Sequence, residues 1–171
     1  AAGTGVLADG NAVVQLRVVS ALGNLGEVGI QGIGNVSRQA EGVGEAVVEL
    51  HENCGMSGCK IVCANKVSIG KYTIIGPDTI IYDVKEHDYE ESRGWFSCKK
   101  RIGKPIIIGE KCYIGMRCII LKGVTIGDNC VISAGTIITK DVPAGHLASG
   151  NPAVYTPLTK RNGGMLPDKS E

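Results

Sequence analysis

The chain has 171 residues and a formal net charge of +1. This length suits one domain with a core large enough to fold unaided, and the near-neutral charge argues against a nucleic-acid surface or an acidic partner. No run of about 18 apolar residues occurs, which argues against a membrane span. The first ten residues lack the basic region and apolar stretch of a signal peptide. The seven cysteines contain no CxxC pair, which disfavours structural zinc. A reducing, cytoplasmic location is predicted.

The first part of the chain carries only a weak periodic signal. Leu16, Leu22 and Val28 are six residues apart, and then the pattern fades. Residues 50–68 keep a six-residue spacing but slip register before Ile69. We therefore predict irregular or degenerate first coils over residues 1–49, within a single domain spanning residues 1–153, and place no functional residue in those coils.

A strict six-residue repeat begins at Ile69. Isoleucine occupies every sixth position on both sides of one interruption, at Ile69, Ile75, Ile81, Ile108, Ile114, Ile120, Ile126, Ile132 and Ile138. Glycine often follows the isoleucine, although glycine inside a strand costs roughly 0.5–1 kcal/mol relative to alanine. We attribute these glycines to corners that other residues resist, while each buried isoleucine returns about 1.5–3 kcal/mol. A corner every six residues is typical of a parallel β-helix built from hexapeptide repeats.

The fourth position after each repeat isoleucine holds a small or β-branched residue. We interpret Cys112, Cys118 and Cys130, which occupy this position, as small core side chains. After Ala153 the chain contains Pro157, Gly163, Gly164 and Pro167, which break helices. Residues 154–171 are therefore predicted to be a short, irregular and extended C-terminal tail.

The repeat stops between Ile81 and Ile108, where residues 87–104 form a predicted protruding loop. A loop of this length in a compact domain is usually functional or disordered. It contains the only tryptophan and the only phenylalanine of the chain, Trp95 and Phe96. These aromatic residues either anchor the loop on a neighbouring subunit or contact a substrate or cofactor.

The segment VTIGDNCVISAGTIITKDVPAGHLASGNPA, residues 124–153, resembles the closing coils of the left-handed β-helix acyltransferases. It is most similar to the galactoside and maltose O-acetyltransferase branch, and the resemblance extends over residues 50–153. It implies an all-β, left-handed parallel β-helix in which three hexapeptides make one triangular coil. Cys112 would then stack on Cys130 at about 4.8 Å, inside the Cα window for a disulfide of about 4.4–6.8 Å, but a reducing compartment favours free thiols.

The resemblance implies that His87 is the catalytic residue, because the family's catalytic histidine also stands between a coil and a long loop ending in a Pro-Ile-x-Ile-Gly strand, here residues 105–109. A histidine with a pKa near 6.5 is mostly neutral at pH 7 and can accept a proton from an attacking alcohol or amine. Glu86 and Asp88 should point away from the ring and form either a polar rim for the acceptor or a solvated face. His51 and His146 are expected to be solvated surface residues.

The resemblance also implies acetyl-CoA as the co-substrate, with no permanently bound cofactor and no metal. The positions that match the family's donor contacts are Ala134, Gly135, Thr139, Lys140 and, near the thiol end, Met116. Met116 and Val154 depart from the galactoside enzymes, which have a small polar residue and an arginine there. Phosphate contacts could instead come from Lys99, Lys100 or Arg101. Resemblance points to Ser57 and Asn65 on the acceptor side, with Asp88 and Trp95 in the loop.

The predicted function is an acetyl-CoA-dependent O-acetyltransferase acting on a sugar or another small hydroxylated acceptor. The resemblance implies a homotrimer with each active site between two subunits. The alternatives are a non-catalytic hexapeptide-repeat scaffold protein and an acyltransferase with an amine or antibiotic acceptor. Zinc chemistry, as in carbonic anhydrases of this fold, is disfavoured because His51, His87 and His146 include no close pair.

Overall fold

The described part of the chain folds entirely as β-structure. The computed structural model describes the backbone of residues 3–9, 12–19, 29–31, 36–37, 46–161 and 164–167, and the side chains of residues 46–97 and 102–159. No helix is present in these ranges, so none of the described segments is a membrane-spanning helix. The first ten strands are β1 (Gly3–Asp9), β2 (Ala12–Val19), β3 (Gly29–Gln31), β4 (Val36–Ser37), β5 (Val47–His51), β6 (Gly55–Ser57), β7 (Lys60–Val62), β8 (Lys66–Ile69), β9 (Ile74–Ile75) and β10 (Ile80–Tyr82).

A hairpin and the second half of the coils follow. The remaining strands are β11 (Val84–Glu90), β12 (Gly94–Gly103), β13 (Ile106–Ile108), β14 (Tyr113–Ile114), β15 (Ile119–Leu121), β16 (Thr125–Ile126), β17 (Val131–Ile132), β18 (Ile137–Ile138), β19 (His146–Ser149), β20 (Val154–Arg161) and β21 (Gly164–Pro167).

Three parallel sheets form the sides of the coil, and the chain visits them in turn. Face A contains β2, β5, β8, β13 and β16; face B contains β3, β6, β9, β14, β17 and β19; face C contains β4, β7, β10, β15 and β18. Ile114 pairs with Ile132 and Ile120 pairs with Ile138, so one coil takes eighteen residues. The three-sided coil implied by the resemblance is therefore present.

The core is the column of repeat residues predicted from the sequence. All nine repeat isoleucines from Ile69 to Ile138 are at most 1% exposed. The small residues at the fourth position are buried beside them, and Cys112, Cys118 and Cys130 are confirmed as core side chains. Cys112 and Cys130 are free thiols, as expected.

The repeated glycines do not form the corners, contrary to the prediction from the sequence. The positive backbone φ angles at the corners belong to residues two places further on, such as Tyr72 and Arg117, with φ of 58° and 55°. The glycines are required by the close stacking of coils: a Cβ at Gly115 would lie 2.6 Å from the backbone nitrogen of Ala134. Glycine therefore lets one coil approach the next, and does not provide the turn itself.

The described segments near both ends of the chain are more regular than the sequence predicts. Strands β1 and β2 form an antiparallel hairpin, and β2 then pairs in parallel with β5. At the other end β20 pairs antiparallel with β19 and with β21, so these tail residues are ordered strands, not an irregular segment. Pro157 prevents a helix but is compatible with an extended strand, because only its missing N–H limits pairing.

Candidate active site

The interruption at residues 87–104 is a two-stranded antiparallel hairpin that begins earlier than predicted, at Val84. It leaves the coil at the C–A corner, the turn between faces C and A formed by residues 63–65, 83–105, 122–124 and 139–141. Its tip is a tight turn in which the Arg93 N–H donates to the Glu90 carbonyl at 3.2 Å and Gly94 adopts a φ of 71°. Hydrogen-bonded strands therefore hold the excursion away from the coil.

Asp83 fixes the root of this hairpin, and sequence reasoning did not identify it. Its carboxylate is fully buried and accepts three backbone N–H groups of the preceding coil, from Ala64 at 2.7 Å, Asn65 at 2.8 Å and Lys66 at 3.1 Å. Burial raises the pKa of Asp83, while the backbone hydrogen bonds oppose that rise. The sequence contains one signal for this role, because Asp83 is a carboxylate placed directly after the last regular strand before the hairpin.

His87 is exposed on one face of the hairpin together with two aromatic rings. It pairs across the hairpin with Ser97, and Tyr89 pairs with Trp95 two residues further out. Cross-strand partners and residues two apart share a face, so the imidazole and both rings lie on the same side. The Tyr89 and Trp95 ring centroids are 5.4 Å apart, and Trp95 is 75% exposed.

The His87 ring is available to a ligand. The imidazole makes no hydrogen bond or ion pair with the other described side chains, so both ring nitrogens are open to a substrate. Among the described residues no three His, Cys, Asp or Glu side chains are grouped as metal ligands. The exposed imidazole is thus accessible to hydrogen bonding by a hydroxyl group placed against the hairpin face.

The opposite face of the hairpin is held by charged contacts. Asp88 accepts a hydrogen bond from Lys85 at 2.9 Å, which holds the pKa of its carboxyl below the usual value. The Arg93 guanidinium lies 3.5 Å from the Phe96 ring centroid and forms an ion pair with Glu90 at 2.7 Å. The structure thus places Asp88 on Lys85, not on the His87 ring.

Asn65 belongs to the hairpin root. Its side-chain amide donates to the Gly103 carbonyl at 3.2 Å, and its backbone N–H donates to Asp83. A Cβ at Gly103 would approach the Asn65 Cβ to 2.7 Å, so the two residues are in tight contact. The predicted acceptor residues Asn65, Asp88 and Trp95 are therefore all at or on the hairpin that carries His87.

Three predicted donor residues meet at a different corner. The B–C corner, between faces B and C, contains residues 58–59, 76–79, 115–118 and 133–136. Here the Gly135 N–H donates to the Met116 carbonyl at 2.9 Å, and Ala134 lies against Gly115. Gly135 has a φ of 73°, and a Cβ there would meet nothing within 4 Å. Ser57, predicted on the acceptor side, ends β6 at this same corner, away from His87.

Thr139 and Lys140 lie at the C–A corner, two coils beyond the root of the His87 hairpin. The Tyr155 hydroxyl donates to the Lys140 carbonyl at 3.2 Å, so the C-terminal strand supports this turn. The predicted donor contacts are thus divided between two corners. The width of face C, about 20 Å for a six-residue side, separates them within one chain.

The chain is similar in sequence to known hexapeptide-repeat proteins. The family described as hexapeptide repeat of succinyl-transferase matches residues 105–140. Nodulation protein L from Rhizobium meliloti (strain 1021) is 50% identical over 95 residues, which are 56% of this chain and 50% of that protein. The resemblance to the hexapeptide-repeat acyltransferases is confirmed. The chain spans about half the length of the curated relatives it matches.

Solved structures agree with the fold. A hexapeptide-repeat-containing acetyltransferase from Vibrio cholerae O1 biovar eltor, complexed with acetyl coenzyme A, matches with a TM-score of 0.58 and 28% identity, covering 63% of this chain and 58% of that chain. A maltose O-acetyltransferase from Clostridium difficile 630 matches with a TM-score of 0.58 and 31% identity, covering 67% and 60%. The left-handed parallel β-helix expected for this chain is thereby confirmed.

Proposed function

We propose that this protein is an acetyl-CoA-dependent O-acetyltransferase in which His87 is the general base. The observation that carries the proposal is the exposed His87 ring on a paired strand whose root is fixed by the buried Asp83. A general base must be held within hydrogen-bond reach of the proton that it removes. The similarity to acetyltransferases, one of them complexed with acetyl coenzyme A, supports the reaction class and the co-substrate.

The proposed reaction is a direct transfer without an acyl-enzyme. His87 takes the proton of the acceptor hydroxyl while the acceptor oxygen attacks the thioester carbonyl carbon of acetyl-CoA. The tetrahedral intermediate collapses, the C–S bond breaks, and the coenzyme A thiolate leaves. The imidazolium returns its proton to the thiolate, so the products are the acetyl ester and free coenzyme A, and His87 is again neutral.

The acceptor is proposed to be a sugar or another small hydroxylated molecule. The Tyr89 and Trp95 rings share the face of His87, and the largely exposed Trp95 ring offers an apolar face on which the apolar side of a pyranose ring can pack. An amine or antibiotic acceptor would use the same base, and a non-catalytic scaffold would need none. The aromatic pair beside an accessible imidazole favours the sugar acceptor.

The predicted donor residues lie at two separate corners, and this separation supports a homotrimer with its active sites between subunits. One groove can contain both the C–A and the B–C corner residues when the two corners come from neighbouring chains. Outward-facing Ile80, Ile119 and Ile137 on face C, and the half-exposed Ile74 and Tyr113 on face B, provide apolar surface for such contacts. The proposal includes a cytoplasmic location, which suits the free thiols of the described core.

The proposal is tested by measuring thiol release from acetyl-CoA with a panel of sugars and amines. His87→Ala should lower kcat by about 10²–10⁴-fold, the usual contribution of a general base, without changing the mass of the assembly. His146→Ala is the matched control, because His146 lies in the last coil, where its ring forms a hydrogen bond with the Ala144 carbonyl. Equal rates for the wild type and His87→Ala would refute the role of His87. A wild type that binds no coenzyme A would favour the scaffold alternative.

A further inference from the structure

Three lysines at the C–A corner recur at the spacing of one coil. Lys104, Lys122 and Lys140 are eighteen residues apart, and the pairing of Ile120 with Ile138 places Lys122 beside Lys140. The Gly123 N–H donates to the Lys104 carbonyl at 3.2 Å, which places Lys104 in the same column. Their Cα atoms are therefore about 4.8 Å apart along the coil axis. We call these three residues the lysine row.

The lysine row is exposed and is not neutralised by the described side chains. Five other cations of the described residues form ion pairs with carboxylates, namely Lys66, Lys71, Lys85, Arg93 and Arg117. No described carboxylate forms an ion pair with any member of the row. The nearby Asp141 accepts the Thr125 N–H at 2.7 Å, and Asp83 is buried under the hairpin. Like charges on adjacent strands repel, so this column favours the binding of an anion.

The lysine row begins at the root of the His87 hairpin. The Lys104 N–H donates to the Asp83 carbonyl at 2.8 Å. His87 follows Asp83 by four residues along the first hairpin strand, so it is at most about 13 Å from Asp83. The row extends a further two coil spacings, about 10 Å. A pantetheine arm has the length of roughly four extended residues, about 14 Å. A thioester at His87 would therefore bring the phosphates at the other end of that arm to the lysine row.

We propose that the lysine row binds the diphosphate and the 3′-phosphate of coenzyme A, with Lys104 and Lys122 as contacts in addition to Lys140. This inference rests on the proposed function and specifies how the donor is held. Ammonium groups act as point charges toward phosphate, and three of them in a column match a ligand whose negative charges are spread along its length. The Lys104 stem is directed along the column, because a Cβ at Gly123 would lie 3.3 Å from its Cδ.

The test compares ligands that share the pantetheine arm but differ in phosphate. Coenzyme A, dephospho-coenzyme A and pantetheine are titrated by calorimetry into the wild type, Lys104→Gln, Lys122→Gln and the double variant. Each single substitution should weaken coenzyme A binding about fivefold, the double variant should lose more, and pantetheine binding should not change. Lys111→Gln is the matched control, since Lys111 is exposed and has no described carboxylate partner but lies at the A–B corner between faces A and B.

The outcomes separate this inference from the proposed function. Coenzyme A binding that is equal in the wild type and the double variant would overturn the lysine row and leave the acetyltransferase standing. An equal loss for coenzyme A and pantetheine, or a higher KM for the acceptor with unchanged coenzyme A affinity, would also overturn it. A wild type that binds neither coenzyme A nor pantetheine would remove the proposed function, and the row with it.

Discussion

The carboxylate of Asp83 accepts the backbone N–H of Ala64 at 2.7 Å and thereby joins the hairpin root to the preceding coil. Its second oxygen accepts the N–H groups of Asn65 and Lys66. Buried backbone donors need partners, so this one side chain completes the hydrogen bonding of the turn beneath the hairpin. The position of His87 therefore depends on a residue that need not touch the substrate.

Asp83→Ala should destabilise the protein by about 2–4 kcal/mol, because it leaves three backbone N–H groups without their acceptor. Urea unfolding measures the change. Asp83→Asn retains one acceptor oxygen and should cost less than alanine. Equal stability of Asp83→Ala and the wild type would show that the turn finds other partners.

Asp83 should make the unfolding free energy of the protein depend on pH. Since burial raises the pKa of Asp83 above its unfolded value of about 3.9, its contribution to stability is full below that value and is lost as pH rises through the folded pKa. The unfolding free energy of the wild type, measured relative to Asp83→Asn, should therefore fall as pH increases from 4. A difference that grows with pH would contradict the raised pKa.

Gly115→Ala should destabilise the coil by about 3 kcal/mol, because the added Cβ would lie 2.6 Å from the Ala134 backbone nitrogen and overpack two coils. Gly55→Ala is the control, since a Cβ at Gly55 would meet nothing within 4 Å. Thermal unfolding of both variants checks the prediction. Comparable melting temperatures for the two would show that the coils can separate at Gly115.

An active site shared between subunits predicts complementation. Ala134→Trp should block the donor corner, and His87→Ala should remove the base, so each variant alone should be inactive. Trimers assembled from an equal mixture should regain about a quarter of the sites, because each interface draws one corner from each of two chains at random. Mixed trimers verified by native mass spectrometry that have no activity would place the whole site within one chain.

Trp95 should contribute to acceptor binding. Trp95→Ala is expected to raise the acceptor KM about fivefold, since a stacking contact contributes roughly 0.5–1.5 kcal/mol, with little effect on the KM for acetyl-CoA. Phe96→Leu is the control, because Phe96 lies on the opposite face under Arg93. A larger effect of Phe96→Leu on the acceptor KM would mean that the other face of the hairpin binds the acceptor.

The six described thiols should be protected in the native protein. Burial raises the pKa of the Cys54 thiol to about 11, and Cys59, Cys63, Cys112, Cys118 and Cys130 are also buried. Iodoacetamide at pH 8 should label these sites only in urea, as read by peptide mass spectrometry. Because the Cys54 pKa is raised, its stabilising contribution is complete below about pH 8.5 and is lost as pH rises toward 11.

Residues that are buried at the same place in every coil can be predicted from the sequence. Contacts that depend on how one coil stacks on the next cannot. The isoleucine column and the small residues beside it recur every six residues because each must fill the same interior. Asp83 and Ala64 are nineteen residues apart, and only the stacking of two coils makes them partners. The register slip before Ile69 similarly concealed that Ser57 belongs to the B–C corner. The hairpin itself has mostly exposed residues, so its strand pairing left no apolar alternation to read.

The eighteen-residue coil also limits how this chain can change in length. Insertion or deletion of one whole coil leaves every downstream residue at its own corner and only shifts it along the axis. A change of six residues between Lys122 and Lys140 would instead rotate all later residues onto the neighbouring corner, by one third of a turn. Lys140 would then no longer continue the column that starts at Lys104. Within the regular coils, length variation preserves the corners only in units of the whole coil, whereas an excursion at a corner, such as the Val84–Gly103 hairpin, leaves the later coils in register.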